Sequence, residues 1–504
     1  MQRQRKLGSD QDRAKFLGRR AATLLMAAAF GWSWSTSFVV AQVPVRPQPP
    51  GRPQLPASPQ PASAANTSGG AAPVLRANPS ELGLKLPDGE PKPGGDRRVL
   101  VKSEENEVVV ARVAVEIGDR LAVIMPDGRI NAVLTHEATA TDRPFVGIAS
   151  AALKAKLATK FPGFTTKATP HFIYVYNSSE KFFKGTSGIL ESMYPGLVAY
   201  LKTRKIEVTD PEYPLVVIMF RTRKEWEDYM HGMFAGSGVA AFYDGVSNRV
   251  LMYEQSELAD VAPELALKSC ISTVAHEGVH QILHNIGVQQ RLSRWPMWIS
   301  EGLPEYFSPT SIGAGLRWKG AGKINDLRMY SMADNIKTRT RPAGSGTGSL
   351  TEWVIAADEI DADGYAWSWA LTHFLGEKKR EPFQKYLTDV TKFEALRPRS
   401  PQERRELFIK HFGSDFAKLD AELVAHLYKL PYVDPVENMT HYVILVDNGG
   451  RRMAQMTTSP GDIQSMQQAM SAQSAVIGRG LQFDVRTFPS RTTARAFAQT
   501  WVNQ

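Results

Sequence analysis

Cys270-Ile271-Ser272-Thr273-Val274-Ala275-His276-Glu277-Gly278-Val279-His280-Gln281-Ile282-Leu283, followed by Trp298-Ile299-Ser300-Glu301-Gly302, decides the reading of this chain. The apolar positions of the first segment have a helix-compatible spacing, continued from Leu265-Ala266-Leu267. Two histidines four apart on a helix lie about 40° apart around its axis. His276 and His280 can therefore reach one metal ion. Glu277 sits about 100° round from His276, placed to hold a water rather than to ligate. Catalytic zinc takes three protein ligands and keeps one position for water. Glu301, arriving on the following segment, is the candidate third ligand. The chemistry implied is metal-activated hydrolysis, with a peptide bond as the leading substrate.

The second block, Trp295-Pro296-Met297-Trp298-Ile299-Ser300-Glu301-Gly302-Leu303-Pro304-Glu305-Tyr306-Phe307, carries a family resemblance. It resembles the gluzincins of the peptidase-MA superfamily, zinc peptidases whose third ligand is a Glu in a W-x-x-E-G-x-x-x-Y-F segment. It looks closest to their exported bacterial relatives of unassigned substrate. The resemblance spans roughly 170–430. It implies His276, His280 and Glu301 as zinc ligands, Glu277 as general base, and a mixed-sheet lobe followed by a helical lobe. Pro304 departs from the pattern. Proline lacks an N–H and suits only a helix's first turn, so the helix bearing Glu301 is expected to start late or to kink. A metzincin arrangement fails, because the positions that require Gly and a third His hold Leu283 and Ile286. Three ligands along one straight helix would span about 12 Å, so His284 is expected to pack or hydrogen-bond rather than ligate.

Length and composition set the frame. The chain has 504 residues, 43% hydrophobic and 22% charged, which suits two or three globular domains. Its net charge of +9 is concentrated in the first twenty residues, with seven basic and two acidic side chains. The body is nearly neutral, with no basic stripe interleaved with aromatics, so nucleic acid is not an expected partner. The basic residues precede Ala21–Ala41, which is free of charge. This reads as an export segment, with Val39-Val40-Ala41 suited to cleavage. It is also long enough to span a bilayer as an uncleaved tether. Either way the body is expected outside the cytoplasm, periplasmic or extracellular. The single cysteine, Cys270, excludes an intrachain disulfide and reads as a small core residue.

The expected fold class is α+β, organised in five parts. Residues 1–41 form the signal or anchor, and 42–97 a Pro-rich disordered linker. Residues 98–150 form a small β module, with strands around Val99–Val101, Glu107–Val113 and Arg120–Met125 and a turn at Pro126-Asp127-Gly128-Arg129. Residues 151–435 form the gluzincin-like domain. Within it, strands at His171–Tyr176 and Leu215–Phe220 alternate with helices at 181–203 and 223–231. A hairpin-like pair, Val239–Tyr243 and Arg249–Tyr253, precedes the motif helix. From Phe307 to about Leu430 the chain reads helical, with Gly-rich loops at Ile312-Gly313-Ala314-Gly315 and Ala343–Gly348 that could act as lids. Residues 436–504 form a small α/β appendix of two strand–helix units, its partner not legible.

The resemblance suggests further roles. Gly238, Val239, Ala240, Ala241, Phe242 and Tyr243 are the candidate substrate strand, pairing with an extended peptide; the alternative is an ordinary sheet edge. An oxyanion donor is needed, and Tyr365 is the first candidate, since it opens a helix after a flexible segment. His373 is the second. Tyr365 could equally be a core aromatic. Glu305, four residues after Glu301, could accept from a ligand histidine or lie solvated. Two other functional classes stay open: a catalytically silent envelope binding protein on the same scaffold, and an amide hydrolase acting on cell-wall peptides.

Overall fold

The computed structural model describes residues 39–40, 84–230, 240–254, 263–312, 316–338, 342, 345–447, 452–458, 460–475 and 482–503. The export segment and most of the linker lie outside them. The described residues form two compact units, divided between Val436 and Glu437, with 39–40 in the second. The architecture is α+β.

Val39–Val40 is β1. In the first unit, β2 (Lys92–Pro93), β3 (Arg98–Lys102), β4 (Val108–Ile117), β5 (Arg120–Ile124), β6 (Ile130–Leu134) and β7 (Thr139–Ala140) form an antiparallel sheet, ordered β6-β5-β4-β3-β7 with β2 also on β4. The register shifts between Val113 and Val115. The extra residue reverses the side-chain alternation. Val113 therefore packs with Val99, Val101 and Val123. Val115 and Ile117 pack instead with Leu84, Leu86, Val246, Leu292 and Leu396. The module is thus built into the larger fold rather than free-standing. The expected linker also ends early: Leu84 and Leu86 are buried. Two leucines in a Pro-rich text suffice to anchor that stretch.

A five-stranded sheet follows, ordered β11-β12-β10-β9-β8. Its members are β8 (Thr165–Ala168), β9 (Phe172–Tyr176), β10 (Leu215–Phe220), β11 (Ala241–Asp244) and β12 (Arg249–Tyr253). The central β9, β10 and β12 are parallel, and every residue of each is buried. Both faces are covered, as such apolar runs require. Helices α1 (Ser150–Lys160) and α3 (Arg223–Tyr229) cover one face through Leu153, Leu157 and Trp226. On the other face lie α2 (Glu180–Thr203) and the motif helix α4 (Pro263–Asn285). Edge strands β8 and β11 run antiparallel to their neighbours.

The core continues without a break into α5 (Met297–Phe307), α6 (Asp326–Thr338), α7 (Leu350–Ala356), α8 (Ala362–Lys378), α9 (Arg380–Val390), α10 (Pro401–Phe412) and α11 (Phe416–Leu427). Helix α5 starts at Met297 and runs through Pro304, contrary to the late start expected. The helical text is also interrupted by a hairpin, β13 (Thr310–Ile312) with β14 (Leu316–Trp318). Trp318 packs where a Cβ on Gly196 of α2 would fall, and its Nε1 donates to Phe307 O. The glycines at 313, 315 and 344, and hence any lid built on them, lie outside the described residues.

The second unit carries β15 (His441–Asp447), β16 (Arg452–Thr457), α12 (Asp462–Ala475), β17 (Gln482–Phe488) and α13 (Arg491–Val502), with strand order β1-β16-β15-β17. The second strand of its hairpin, β16, was not among the expected elements. Val443 and Leu445 pack with Ala494 and Ala498 of α13, whereas Ile444 and Val446 meet Met466 and Met470 of α12. Among the described residues no helix is long and apolar enough to cross a membrane.

Candidate metal centre

Helix α4 brings His276 and His280 to one side, and α5 carries Glu301 opposite them. Glu301 Oε2 lies 3.2 Å from His276 Nε2 and 3.4 Å from His280 Nε2. Ligands about 2.0–2.1 Å from a tetrahedral zinc stand about 3.4 Å apart. One ligand atom from each of the three residues fits within 4.8 Å of the others. The group could therefore hold a metal ion. His276 is buried, while His280 and Glu301 remain partly exposed, which leaves one side accessible.

Both helices are held close by glycine. A Cβ on Gly278 would stand 2.2 Å from Leu190 Cδ2 of α2. A Cβ on Gly302 would stand 2.2 Å from Thr372 Oγ1 and 2.8 Å from Ser368 O of α8. The x-G-x after Glu277 and the E-G of the second block thus record helix-to-helix contact distances. On its sheet-facing side, α4 is locked by a buried polar network. Asn285 and Asn248 exchange reciprocal amide hydrogen bonds of 2.7 and 2.9 Å. Gln281 Nε2 donates to Val216 O and Asn248 O, both at 3.0 Å. Asn248 occupies the hairpin turn at φ 59°, a left-handed conformation that asparagine tolerates. Arg291 is buried and donates to Gly128 O at 2.5 Å, which ties the β module to the turn after α4.

Glu305 is buried, not solvated. Its Oε1 lies 3.0 Å from His276 Nδ1. Asn325 Nδ2 donates to Oε2 at 2.9 Å, and Arg328 grips both oxygens, Nε at 2.9 Å and Nη2 at 2.6 Å. Neither Asn325 nor Arg328 was singled out from sequence. They follow Glu305 by twenty and twenty-three residues in unremarked text, and no spacing signals such a contact.

The charges are strongly coupled. Burial opposes ionisation of Glu301, yet His280 and His276 hold its carboxyl far below the usual range. Burial likewise opposes Glu305, but Arg328 and His276 bring it down to about 2. Without a metal, burial disfavours the His276 imidazolium, and hydrogen bonds to Glu301 and Glu305 outweigh it, raising the group to about 10. Glu277 differs. Burial pushes its carboxyl up, against the pull of the two histidines.

Glu277 Oε2 accepts from the Tyr243 N–H at 2.8 Å. Strand β11 is the sheet edge, and Ala240 O and Asp244 O receive the hydrogen bonds from the hairpin partner side. Alternation turns the backbone groups of Ala241 and Tyr243 to the open edge. Tyr243 of the expected substrate strand is thus placed beside Glu277. Gly238 and Val239 lie outside the described residues. Tyr365, in the first turn of α8, has its ring centroid 6.0 Å from that of His276. Burial and the charges of Glu301 and Glu277 push its hydroxyl well above the usual range, so it stays protonated and able to donate.

His373 is not brought to the cluster. Its Nδ1 meets His426 Nε2 at 2.9 Å and its Nε2 meets Gly322 O at 3.2 Å. Eight residues beyond Tyr365 on one helix, it lies about 12 Å further along the axis. His284, as expected, packs, with its ring stacked on Tyr243 at 5.4 Å. Burial drops its pKa to about 3.

Residues 270–396 match the family described as "Protein of unknown function (DUF1570)". The match spans the two histidines, Glu277, Glu301, Glu305, Arg328 and Tyr365. No curated protein matches the chain.

Proposed function

We propose that this protein is a zinc-dependent peptidase of gluzincin type, acting outside the cytoplasm on a peptide or protein substrate. The observation that carries the reading is the meeting of three things at one point. These are the candidate ligand triad, the Glu277 carboxylate, and the edge strand β11, whose Tyr243 N–H donates to that carboxylate. A binding scaffold would need the edge but not a buried carboxylate beside the ligands.

His276, His280 and Glu301 would hold the ion. Zinc, when bound, supplies a Lewis acid that brings the pKa of a water towards 7. Glu277 takes up a proton at its carboxylate and passes it to the leaving amine; its upward shift by burial suits a group that must carry that proton. Strand β11 orients an extended substrate through the outward backbone groups of Ala241 and the carbonyl of Tyr243, the Tyr243 N–H being held by Glu277. Tyr365 donates its hydroxyl proton in a hydrogen bond to the developing oxyanion. Glu305 accepts from His276 Nδ1 and so directs Nε2 to the ligand position.

The test is metal content by elemental analysis of the purified protein, paired with cleavage of a peptide library. One zinc per chain and cleavage of peptide bonds are expected. Stoichiometric zinc with no cleavage of peptides or of cell-wall cross-links would favour the silent scaffold.

A further inference from the structure

We propose that Arg328 is a positioning residue of the metal centre, acting through Glu305 to fix the His276 ligand. The inference rests on the zinc reading and extends it to a residue outside the motif.

Geometry is the first ground. Arg328 and Glu305 form a fork, with Nε on one carboxylate oxygen and Nη2 on the other. A two-point contact between planar groups fixes the carboxylate plane as well as its place. That plane matters because Oε1 must also meet His276 Nδ1, at 3.0 Å. With Nδ1 engaged, the opposite nitrogen, Nε2, faces Glu301 Oε2. A carboxylate held at one point could rotate and let the imidazole swing. Asn325, one turn earlier on the same segment, adds a third donor to the carboxylate, at Oε2.

Charge is the second ground. Glu277, Glu301 and Glu305 are three carboxylates gathered around one site. A divalent ion with two neutral imidazoles leaves one negative charge over. Arg328, itself buried, supplies the matching positive charge. Its guanidinium carbon also lies 5.3 Å from the centroid of the Tyr365 ring. One side chain therefore braces both the support of His276 and the ring beside it. A buried pair of this kind is a weak source of net stability, but losing one partner leaves the other charge buried and uncompensated.

The experiment measures zinc affinity by chelator competition in the full-length protein, for wild type, Arg328→Met, Glu305→Gln and the double variant. Arg328→Met is expected to bind zinc 10–100-fold more weakly. The double variant is expected to bind no more weakly than Glu305→Gln alone, because Arg328 acts through Glu305. If Arg328→Met fails to fold, the double variant removes both buried charges and is read against Glu305→Gln. Undiminished affinity in a folded Arg328→Met protein would overturn the proposal. So would a further loss of tenfold or more in the double variant. A wild-type protein that bound no zinc would overturn the metal reading together with this one, whereas loss-free Arg328→Met overturns this one alone.

Discussion

Gly302→Ala is the most direct probe of how the chain places Glu301. The added Cβ would stand 2.8 Å from Ser368 O and 2.2 Å from Thr372 Oγ1. A relaxed carbon–oxygen contact is about 3.3–3.6 Å. Thr372 can turn its hydroxyl aside. Ser368 O cannot move, because it belongs to the main chain of α8. Helix α5 must therefore back away by about half an ångström. Overpacking of this size costs about 1–3 kcal/mol, offset by about 0.5–1 kcal/mol gained in replacing a helical glycine. A net loss of about 1–2 kcal/mol is expected in the metal-free protein. The larger consequence falls on the neighbour. Metal–ligand distances tolerate about 0.2 Å, so a retreat of Glu301 from its 3.2 and 3.4 Å spacings weakens zinc binding as well. Thermal unfolding with and without zinc, together with chelator competition, reads both effects. Unchanged metal-free unfolding combined with wild-type zinc affinity would refute the claim that this contact sets the ligand position.

Three other predictions follow from the centre. Glu277→Gln should keep zinc and lose peptide hydrolysis; turnover near the wild-type rate would assign the base elsewhere. Tyr365→Phe should lower kcat by about 10²–10³ with unchanged metal content, and an unaltered kcat would make Tyr365 a core aromatic only. Zinc must displace the proton held by His276, whose metal-free pKa is raised to about 10 by Glu301 and Glu305 against burial. Affinity should therefore rise about tenfold per pH unit between roughly pH 7 and 9; a flat profile would contradict that proton. The same raised group stabilises the metal-free fold fully below its ordinary value, a contribution lost as pH rises through about 10.

What the sequence made legible was local or periodic. The strands Phe172–Tyr176 and Leu215–Phe220 are continuous apolar runs, and both are buried throughout. The hairpin was readable from Asp244-Gly245 between two β-rich runs. The grouping of His276, His280 and Glu301 was readable because two of its members share one helical face. Elements with weak patterning escaped. The four residues of β8, Thr165–Ala168, are mostly polar, and α1 buries only Leu153 and Leu157. Arg328 escaped for a different reason. Its partner is chosen by the path of the chain between α5 and α6, and no periodicity encodes that path. His373 misled because a histidine on an apolar helix gives the same text whether it faces a metal or, as here, a second histidine.

The way the centre is assembled explains why its residues are so unevenly spaced in the sequence. His276, Glu277 and His280 belong with the sheet: α4 is bound to α2 through Gly278 and to the hairpin turn through Gln281 and Asn285. Glu301 and Tyr365 belong with the helical part, since α5 lies on α8 at Gly302. In the proposed reading, the base and the substrate edge thus share one support, and the third ligand and the oxyanion donor share another. Between them stand the contacts of His276 with Glu301 and Glu305 and of His280 with Glu301. A bound ion would replace the first and last of these with bonds from one atom to both supports. The second is already braced by Arg328. Metal binding in such a site does not build either support. It would fix the distance between them, which on the proposed reading is the distance that a peptide bond lying between Glu277 and Tyr365 must match.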